Sequence, residues 1–290
     1  MNFHLIIGYG YWSKKNLGYL KNRNIFNKIL IKTRKKYFYS FNKIPIKKNE
    51  LKTILKKVKT IHICTPFKNH FSHLRQFSYA NKVVIEKPFL DKISELNKIK
   101  KIYKNKFFLV NYIDTFNPLI NKIKKSLNIN CFYQVILNYS KQNKYYKNKN
   151  EFALEWLDHP LSLILLFFKK FPEFEIKINQ LRKKKNLFNN KIIINYNFKN
   201  FNLEIRLNCS LNNQRNIQIH KKKQIETFHF NQNSLIRNKK KIFQSKKSSF
   251  DNFYNILKNK KKNPAQNFEF HKKIILERNK ILKKLKKNKL

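Results

Sequence analysis

The residues with the clearest chemical signature are three glycines near the amino terminus, Gly8, Gly10 and Gly18, the only glycines among the 290 residues. Gly8 and Gly10 follow an apolar run and begin the pattern Gly-x-Gly-x-x-Ser, in which Ser13 takes the third position. Glycines in such a turn let the backbone approach a phosphate at the beginning of a helix, where backbone N–H groups point at the anion. The spacing therefore predicts a dinucleotide-binding loop with an incomplete Gly-x-Gly-x-x-Gly fingerprint.

A second chemical signature is the run Lys32-Thr33-Arg34 at the end of the next predicted strand. In NAD enzymes an acidic residue at this place hydrogen-bonds the ribose 2′-hydroxyl. Two cations and a hydroxyl group instead suit a 2′-phosphate, so the sequence predicts binding of NADP or NAD with NADP preferred. The alternative interpretation is that these residues are basic because most surface positions of this chain are basic.

Both signatures need a parallel sheet to hold them, and the hydropathy pattern of the first 115 residues predicts one. Short β-rich runs alternate with amphipathic stretches, which is typical of a Rossmann-type α/β domain. The predicted strands are 3–7, 29–33, 60–64, 83–86 and 107–112, and the predicted helices are 11–20, 49–57, 69–80 and 91–103. We therefore expect a dinucleotide-binding domain over residues 1–115.

The remainder, residues 116–290, has a different pattern, in which strands follow one another with few helices between them. This pattern predicts an α+β domain with a large, mostly antiparallel sheet. Its predicted strands are 132–139, 174–179, 192–198, 202–208, 217–220 and 224–231, and its predicted helices are 154–168, 249–257 and 268–285.

The composition narrows the functional classes. The formal net charge is +51, yet the inflated residue types (Lys, Asn, Ile, Phe, Tyr) share A/T-rich codons, and the basic residues are spread over the whole length. Nucleic-acid binders concentrate charge on one element, so nucleic acid is an unlikely partner.

Three scattered cysteines form no disulfide or metal pattern, and no metal is predicted. The longest apolar run, 161–168, is too short to span a bilayer. With no secretory signal before the first strand, we expect a cytoplasmic protein.

Three motifs in this order resemble the signatures of the Gfo/Idh/MocA (glucose–fructose oxidoreductase / inositol dehydrogenase) family. They are Gly8-Tyr9-Gly10-Tyr11-Trp12-Ser13, Thr65-Pro66-Phe67-Lys68-Asn69-His70 and Glu86-Lys87-Pro88. The resemblance continues through Phe116-Asn117-Pro118 and Glu155-Trp156-Leu157-Asp158-His159, so it covers most of the chain.

The resemblance implies a role for each motif. Lys87 would lie beside the nicotinamide and contact both cofactor and substrate, aimed by a cis peptide bond before Pro88. Thr65 and Pro66 would line the nicotinamide ribose, and His70 would open the following helix. The implied cofactor-binding set, together with the residues predicted above, is Gly8, Gly10, Tyr11, Trp12, Ser13, Lys32, Thr33, Arg34, Thr65, Pro66, His70, Glu86 and Lys87.

The family's second domain supplies an Asp-x-x-x-His pair, in which the histidine is the acid/base and the aspartate orients it. His159 matches the histidine, and Glu155 replaces the aspartate one helical turn earlier. The substitution keeps the charge on a longer side chain. The predicted catalytic residues are therefore Lys87, His159 and Glu155. The alternative is that His159 is a structural histidine at a helix N-terminus with acidic neighbours.

Together these features predict an NAD(P)-dependent oxidoreductase that transfers hydride between nicotinamide and a carbinol or keto carbon. The Tyr11-Trp12 variant of the loop resembles family members that act on sugars and nucleotide sugars, and the resemblance also implies a homo-oligomer. Two alternatives remain open. One is a degenerate member that binds nucleotide without catalysis, as Ser13, Glu155 and the missing acid near Thr33 would suggest. The other is a basic nucleic-acid-binding protein.

Overall fold

The computed structural model describes residues 3–21, 29–33, 38–40, 46–128, 132–140, 149–180, 190–208, 214–259 and 262–287. The contacts within the chain divide it into two compact units. The first unit comprises residues 1–111 and 256–275, and the second unit comprises residues 112–255 and 276–290.

A six-stranded sheet forms the centre of the first unit. Its strands, β1 (Phe3–Ile7), β2 (Ile29–Lys32), β3 (Phe38–Ser40), β4 (Val58–Ile63), β5 (Lys82–Glu86) and β6 (Phe107–Asn111), lie in the order β3-β2-β1-β4-β5-β6. All neighbours are parallel except β3, which runs antiparallel to β2. The chain passes from β1 to β2 on one side and returns to β4 on the other. The carboxyl ends of β1 and β4 are therefore a topological switch point, where sheets of this kind bind ligands.

Helices connect these parallel strands, as a βαβ arrangement requires. They are α1 (Tyr11–Lys21), α2 (Lys48–Lys56), α3 (His70–Gln76), which follows a 3₁₀ turn at Phe67–Asn69, and α4 (Ile93–Ile102). The central strands read as nearly continuous apolar runs because both faces of a parallel sheet are covered. Accordingly Leu5, Ile6, Ile61, Val83 and Ile85 are fully buried.

An eight-stranded sheet forms the centre of the second unit. After helix α5 (Ile120–Leu127), its strands are β7 (Phe132–Ser140), β8 (Phe174–Gln180), β9 (Asn190–Phe198), β10 (Phe201–Asn208), β11 (Gln214–Lys221), β12 (Gln224–His229), β13 (Ser234–Arg237) and β14 (Lys240–Gln244). The order is β14-β13-β12-β11-β7-β10-β9-β8, and only β7 and β10 pair in parallel within it. The predicted fold class, a Rossmann domain followed by an α+β domain with a mostly antiparallel sheet, is confirmed.

The remaining helices are α6 (Lys149–Trp156), α7 (Asp158–Phe168), α8 (Ser249–Asn259) and α9 (Phe268–Lys287). The sequence predicted one helix over 154–168, whereas the structure has two helices that meet at Leu157. The β13–β14 hairpin was not predicted either, because β14 is short and mostly exposed and its sequence, KKIFQ, does not alternate between apolar and polar residues. Asn238 and Lys239 form its turn with positive φ, a conformation that suits two-residue hairpins.

Residues 256–275 return to the first unit. Within that unit Phe268 stacks on Phe108 of β6 with 5.1 Å between ring centroids, and the His271 ring packs edge-on against Phe89 at 5.2 Å. Aromatic packing of this kind favours burial of the segment against the sheet. The domains predicted from the sequence, 1–115 and 116–290, put this stretch in the second domain. That division stays a prediction.

Candidate active site

The glycine loop follows β1, and Gly8 has a conformation that only glycine adopts without strain. Its φ is +96°, and a Cβ built there would lie 2.7 Å from the carbonyl oxygen of Cys64. The Gly8 N–H donates to the Lys32 carbonyl oxygen at 2.8 Å. Gly8 therefore sits tightly among the ends of β1, β2 and β4. A Cβ on Gly10, by contrast, would meet no atom within 4 Å, so that part of the loop is open to a ligand.

Ser13 replaces the third glycine at no visible cost to the helix. The side chain is fully buried, and its hydroxyl donates to the Gly10 carbonyl oxygen at 2.7 Å. A serine that bonds the backbone locally satisfies its own polar group. Helix α1 thus begins at Tyr11, whose exposed ring packs edge-on against Trp12 at 5.4 Å. The departure from the fingerprint is accommodated inside the loop itself.

We expect opposite effects from alanine at two of the three glycines. Gly8→Ala should destabilise the protein by on the order of 1–3 kcal/mol and weaken dinucleotide binding, because of the positive φ and the contact with the Cys64 carbonyl. Gly18→Ala is the matched control, since Gly18 lies exposed inside α1 with open space around its Cα, and alanine there should stabilise by roughly 0.5–1 kcal/mol. Urea unfolding of both variants measures the change in stability, and titration measures the Kd for the cofactor. Equal destabilisation of the two variants would contradict the geometry assigned to Gly8.

A cleft of about 910 Å³ opens at the carboxyl ends of β1, β2 and β4. It is lined by Ile7, Gly8, Tyr9, Gly10, Lys32, Thr33, Tyr39, Cys64, Thr65, Pro66, Asn69, Ser72 and His73. The structure thus brings together six of the predicted cofactor residues, namely Gly8, Gly10, Lys32, Thr33, Thr65 and Pro66. Arg34 lies outside the described residues.

The cleft fits a dinucleotide in its polar groups as well as in its place. The Thr65 hydroxyl is buried and has no hydrogen-bond partner among the described residues. Buried polar atoms without partners are rare in native proteins, and one at a ligand-binding edge is satisfied when the ligand is bound. With the glycine cradle at Gly8 and Gly10, these residues would hold the pyrophosphate and the ribose next to it.

His70 lies behind the cleft rather than on its wall. Its ring is fully buried, with Nδ1 at 3.1 Å from the Phe89 carbonyl oxygen and Nε2 at 2.9 Å from that of Thr65. Burial lowers the pKa of His70, and its bonds to the carbonyls of Thr65 and Phe89 act in the opposite direction. The histidine ties Thr65 to the segment that follows Pro88, so its contribution to cofactor binding is through the position of those residues.

Glu86 and Lys87 come at the carboxyl end of β5, one strand beyond β4. Burial raises the pKa of Glu86 to about 7, against the hydrogen bond from the Asn111 amide, at 2.8 Å, and the charge of Lys87. The Lys87–Pro88 peptide bond is cis, as the resemblance implies. The Lys87 side chain is half-buried. Asn111, which anchors Glu86 from the end of β6, was not among the residues predicted from the sequence.

In the second unit, His159 lies at the beginning of α7 and is almost completely buried. Its Nδ1 is 3.0 Å from a carboxylate oxygen of Asp114, at an angle outside the hydrogen-bond range, so the ring and the carboxylate are in close polar contact. Asp114 belongs to a buried 3₁₀ turn, Ile113–Phe116, just before Asn117 and Pro118. The sequence analysis missed Asp114, although an acid two residues before the Phe-Asn-Pro signature was the available signal.

Asp114 is held by two further side chains. The Tyr139 hydroxyl on β7 donates to its Oδ2 at 3.0 Å, and Arg215 on β11 donates to its Oδ1. Burial would raise the pKa of Asp114, but the charges of Arg215 and His159 and the hydrogen bonds hold it well below its usual range. The Tyr139 ring stacks on the His159 ring with centroids 5.6 Å apart. The imidazole is therefore fixed in both position and plane.

The two acids near His159 in sequence have different surroundings from Asp114. Asp158 is fully buried and pairs with Arg278 of α9 at 3.0 and 3.1 Å. Glu155 is half-buried near the end of α6, and the backbone keeps helical dihedral angles and i→i−4 hydrogen bonds through Leu157, so Glu155 lies about one turn before His159. A role for Glu155 stays a prediction.

The described residues contain no group of three His, Cys, Asp or Glu side chains that could hold a metal ion. Across the same residues, no helix has both the length and the hydropathy needed to cross a membrane.

The fold and the cleft define the class, a chain with a Rossmann-type domain and a ligand cleft at its switch point. Residues 4–112 match the sequence model described as the oxidoreductase family with an NAD-binding Rossmann fold, GFO_IDH_MocA. The resemblance to the Gfo/Idh/MocA family is thereby confirmed, and this part of the chain belongs to that family. A search of curated protein sequences gave no significant match.

Solved structures show the same fold over nearly the whole chain. UDP-N-acetylglucosamine 3-dehydrogenase GnnA from Acidithiobacillus ferrooxidans superposes with a TM-score of 0.73 at 12% identity, covering 97% of this chain and 96% of that one. The dehydrogenase MviM from Clostridium difficile superposes with a TM-score of 0.74 at 16% identity, covering 100% of both chains. An oxidoreductase from Thermotoga maritima gives 0.72 at 14% identity, covering 97% and 96%.

Proposed function

We propose that this protein is an NAD(P)-dependent oxidoreductase that transfers hydride between nicotinamide and a carbinol or keto carbon of a sugar or nucleotide sugar. The observation that carries the proposal is the cleft at the switch point of the first sheet, with its glycine cradle and the unpartnered Thr65 hydroxyl. The family match over residues 4–112 supports it. The nicotinamide supplies the hydride chemistry when bound, and the protein supplies aim and proton transfer.

Each catalytic side chain has a proposed task. The Lys87 ammonium donates a hydrogen bond to the substrate oxygen and stabilises the negative charge that develops on it. His159 accepts the hydroxyl proton during oxidation and returns it during reduction, because imidazole exchanges protons near neutral pH. Asp114 lies 3.0 Å from Nδ1 of His159 and orients the ring, and we assign the proton exchange to Nε2. In this scheme Asp114 takes the orienting role that the sequence analysis gave to Glu155.

The substrate class is the part that most needs a direct test. One of the similar structures, GnnA, is a UDP-N-acetylglucosamine 3-dehydrogenase, although 12% identity extends only the fold to this chain. We therefore propose a screen of UDP-sugars, then free sugars, with NADPH oxidation and NADP reduction followed at 340 nm. Turnover with any of them supports the proposal. Cofactor binding without turnover on any substrate supports the alternative of a nucleotide-binding protein that has lost catalysis.

We expect the cofactor preference to depend on Lys32. Its side chain lines the cleft together with Thr33, at the end of β2, where a cation favours the 2′-phosphate of NADP. The Kd for NADPH should be at least about tenfold below that for NADH, since a charge-assisted bond to phosphate contributes roughly 1.5–3 kcal/mol. Lys32→Glu should reverse the order. Isothermal titration calorimetry measures both dissociation constants. Lys59 is exposed on β4, so Lys59→Glu is the control and should leave both constants unchanged. Equal Kd values for NADPH and NADH in the native protein would refute the NADP preference.

We also propose a homo-oligomer in the cytoplasm, as the resemblance implies. Light scattering coupled to size exclusion measures the oligomeric state directly, and a monomer at micromolar concentration would contradict the first part.

A further inference from the structure

One carboxylate in the second unit is shared by three side chains from three different elements. Asp114, in the 3₁₀ turn, accepts hydrogen bonds from the Tyr139 hydroxyl on Oδ2 and from the Arg215 guanidinium on Oδ1, and Nδ1 of His159 lies 3.0 Å from Oδ2. Asp114 is fully buried, whereas the Arg215 side chain is 21% exposed. The single negative charge of Asp114 therefore faces a permanent cation on one side and a titratable ring on the other.

This arrangement has an electrostatic consequence for His159. A buried carboxylate next to an imidazole by itself favours the imidazolium. A guanidinium on the same carboxylate offsets that charge and also repels a second cation, and both effects favour the neutral ring. The proton affinity of His159 is thus a balance between Asp114 and Arg215.

We propose that Arg215 is a positioning residue that sets the proton affinity of His159 by sharing the carboxylate of Asp114. Its guanidinium lowers the proton affinity that Asp114 alone would give the imidazole, and it holds the carboxylate against which the ring is aligned. The value of this for hydride transfer rests on the proposed function, because a neutral imidazole is the form that accepts an alcohol proton. The coupling itself does not depend on the identity of the substrate.

Three further groups that the described residues place beside His159 act differently. Tyr139, stacked on the ring, has a pKa well above its usual range because of burial and the neighbouring Asp114 charge, so it stays neutral. Trp156 of α6, whose ring centroid is 5.9 Å away, carries no charge. Asp158, the preceding residue, has its charge paired with buried Arg278. Glu155, on α6, is the remaining acid close in sequence, and its charge is the same in all variants below.

The direct test is an NMR titration of the histidine ring in Arg215→Gln, with the His159 signal assigned from its loss in His159→Asn. We expect the titration midpoint of His159 to rise by about one pH unit, a roughly tenfold gain in proton affinity. A change of this size corresponds to about 1.4 kcal/mol, which is the order of the interaction between two nearby charges in a protein. Arg215→Lys keeps the charge and should restore the midpoint to within about 0.3 unit.

Arg206→Gln is the matched control. Arg206 lies on β10 and pairs with Glu204. Burial lowers the pKa of His220, and the charge of Arg206 lowers it further. That variant should raise the midpoint of His220 and leave His159 unchanged. An unchanged His159 midpoint in folded Arg215→Gln would overturn the proposal, as would an equal change in Arg206→Gln.

A second variant covers the case in which Arg215→Gln does not fold. Asp114→Asn removes the anion and leaves Arg215 in place, so the midpoint of His159 should fall below that of the native protein. A midpoint that stays the same or rises would overturn the proposal.

Kinetics separates this proposal from the proposed function. With a turned-over substrate, the acid limb of kcat/KM for oxidation should move to higher pH in Arg215→Gln, giving up to about tenfold lower activity at pH 6.5 and recovery by pH 9. A lower plateau with no movement of the limb would indicate a purely structural Arg215 and count against the proposal. If the NMR midpoint rises but no substrate is turned over, the coupling stands and the proposed function fails.

Discussion

Lys87→Met is expected to lower kcat by a factor on the order of 10²–10⁴ while changing the Kd for the nicotinamide cofactor less than threefold, because the loss of a positioned proton donor or charge stabiliser acts on the transition state. Methionine keeps the length and apolar stem of lysine, so the half-buried side chain still fills its place after β5. The ammonium alone is removed. Steady-state kinetics on the best substrate and fluorescence titration of the cofactor give the two quantities separately.

A lysine elsewhere in the first unit provides the control for this loss. Lys98 is exposed on α4, and Lys98→Met changes the same charge far from the sheet edge. It should leave kcat and cofactor Kd within twofold of the native values. If Lys87→Met retained native kcat, the role assigned to Lys87 would be wrong; a large rise in cofactor Kd would assign it to binding instead.

The second large effect is on stability, at the buried ion pair of Arg278 and Asp158. Arg278 Nη1 lies 3.0 and 3.1 Å from the two Asp158 oxygens, and both side chains are completely buried. Arg278→Met leaves a carboxylate buried without its cation, so we expect a loss of about 3–5 kcal/mol in the free energy of unfolding. Urea unfolding followed by circular dichroism measures it.

Two further variants separate the ion pair from packing. Asp158→Leu combined with Arg278→Met removes both charges and should recover much of the loss, since buried pairs can be replaced by apolar residues at little cost. Lys280→Met removes an exposed ammonium that lies 3.7 Å from the buried Glu277 carboxylate on the same helix, and it should change stability by less than about 1 kcal/mol. A loss below 1 kcal/mol for Arg278→Met would contradict the proposed weight of the buried pair.

Most of the first unit could be predicted from the sequence because its determinants are local. Strand β1, the glycine turn and helix α1 follow one another within 21 residues, and the apolar runs of β4 and β5 mark strands covered on both faces. The structure confirms the expectation that no side chain fits at Gly8, because a Cβ there would meet the Cys64 carbonyl group. The cis bond between Lys87 and Pro88 also agrees with the motif.

The β13–β14 hairpin was not predicted because β14 is short, mostly exposed and without an alternating apolar pattern. Long-range contacts decide where residues 256–275 pack, in the first unit although they follow the second-unit sheet in sequence. The predicted domain boundary at 115/116 stays a prediction.

The sequence by itself determined the family, the Rossmann frame and the residues of the glycine loop and the Glu-Lys-Pro motif, because each of these depends on side chains that are neighbours along the chain. Only the tertiary structure decided which acid accompanies His159. Asp114 and His159 are 45 positions apart, and Tyr139 and Arg215 reach the same carboxylate from two paired strands of the sheet. A charge cluster of this kind is assembled by strand register and burial, so spacing along the chain could not indicate Asp114, and the role of Glu155 stays a prediction.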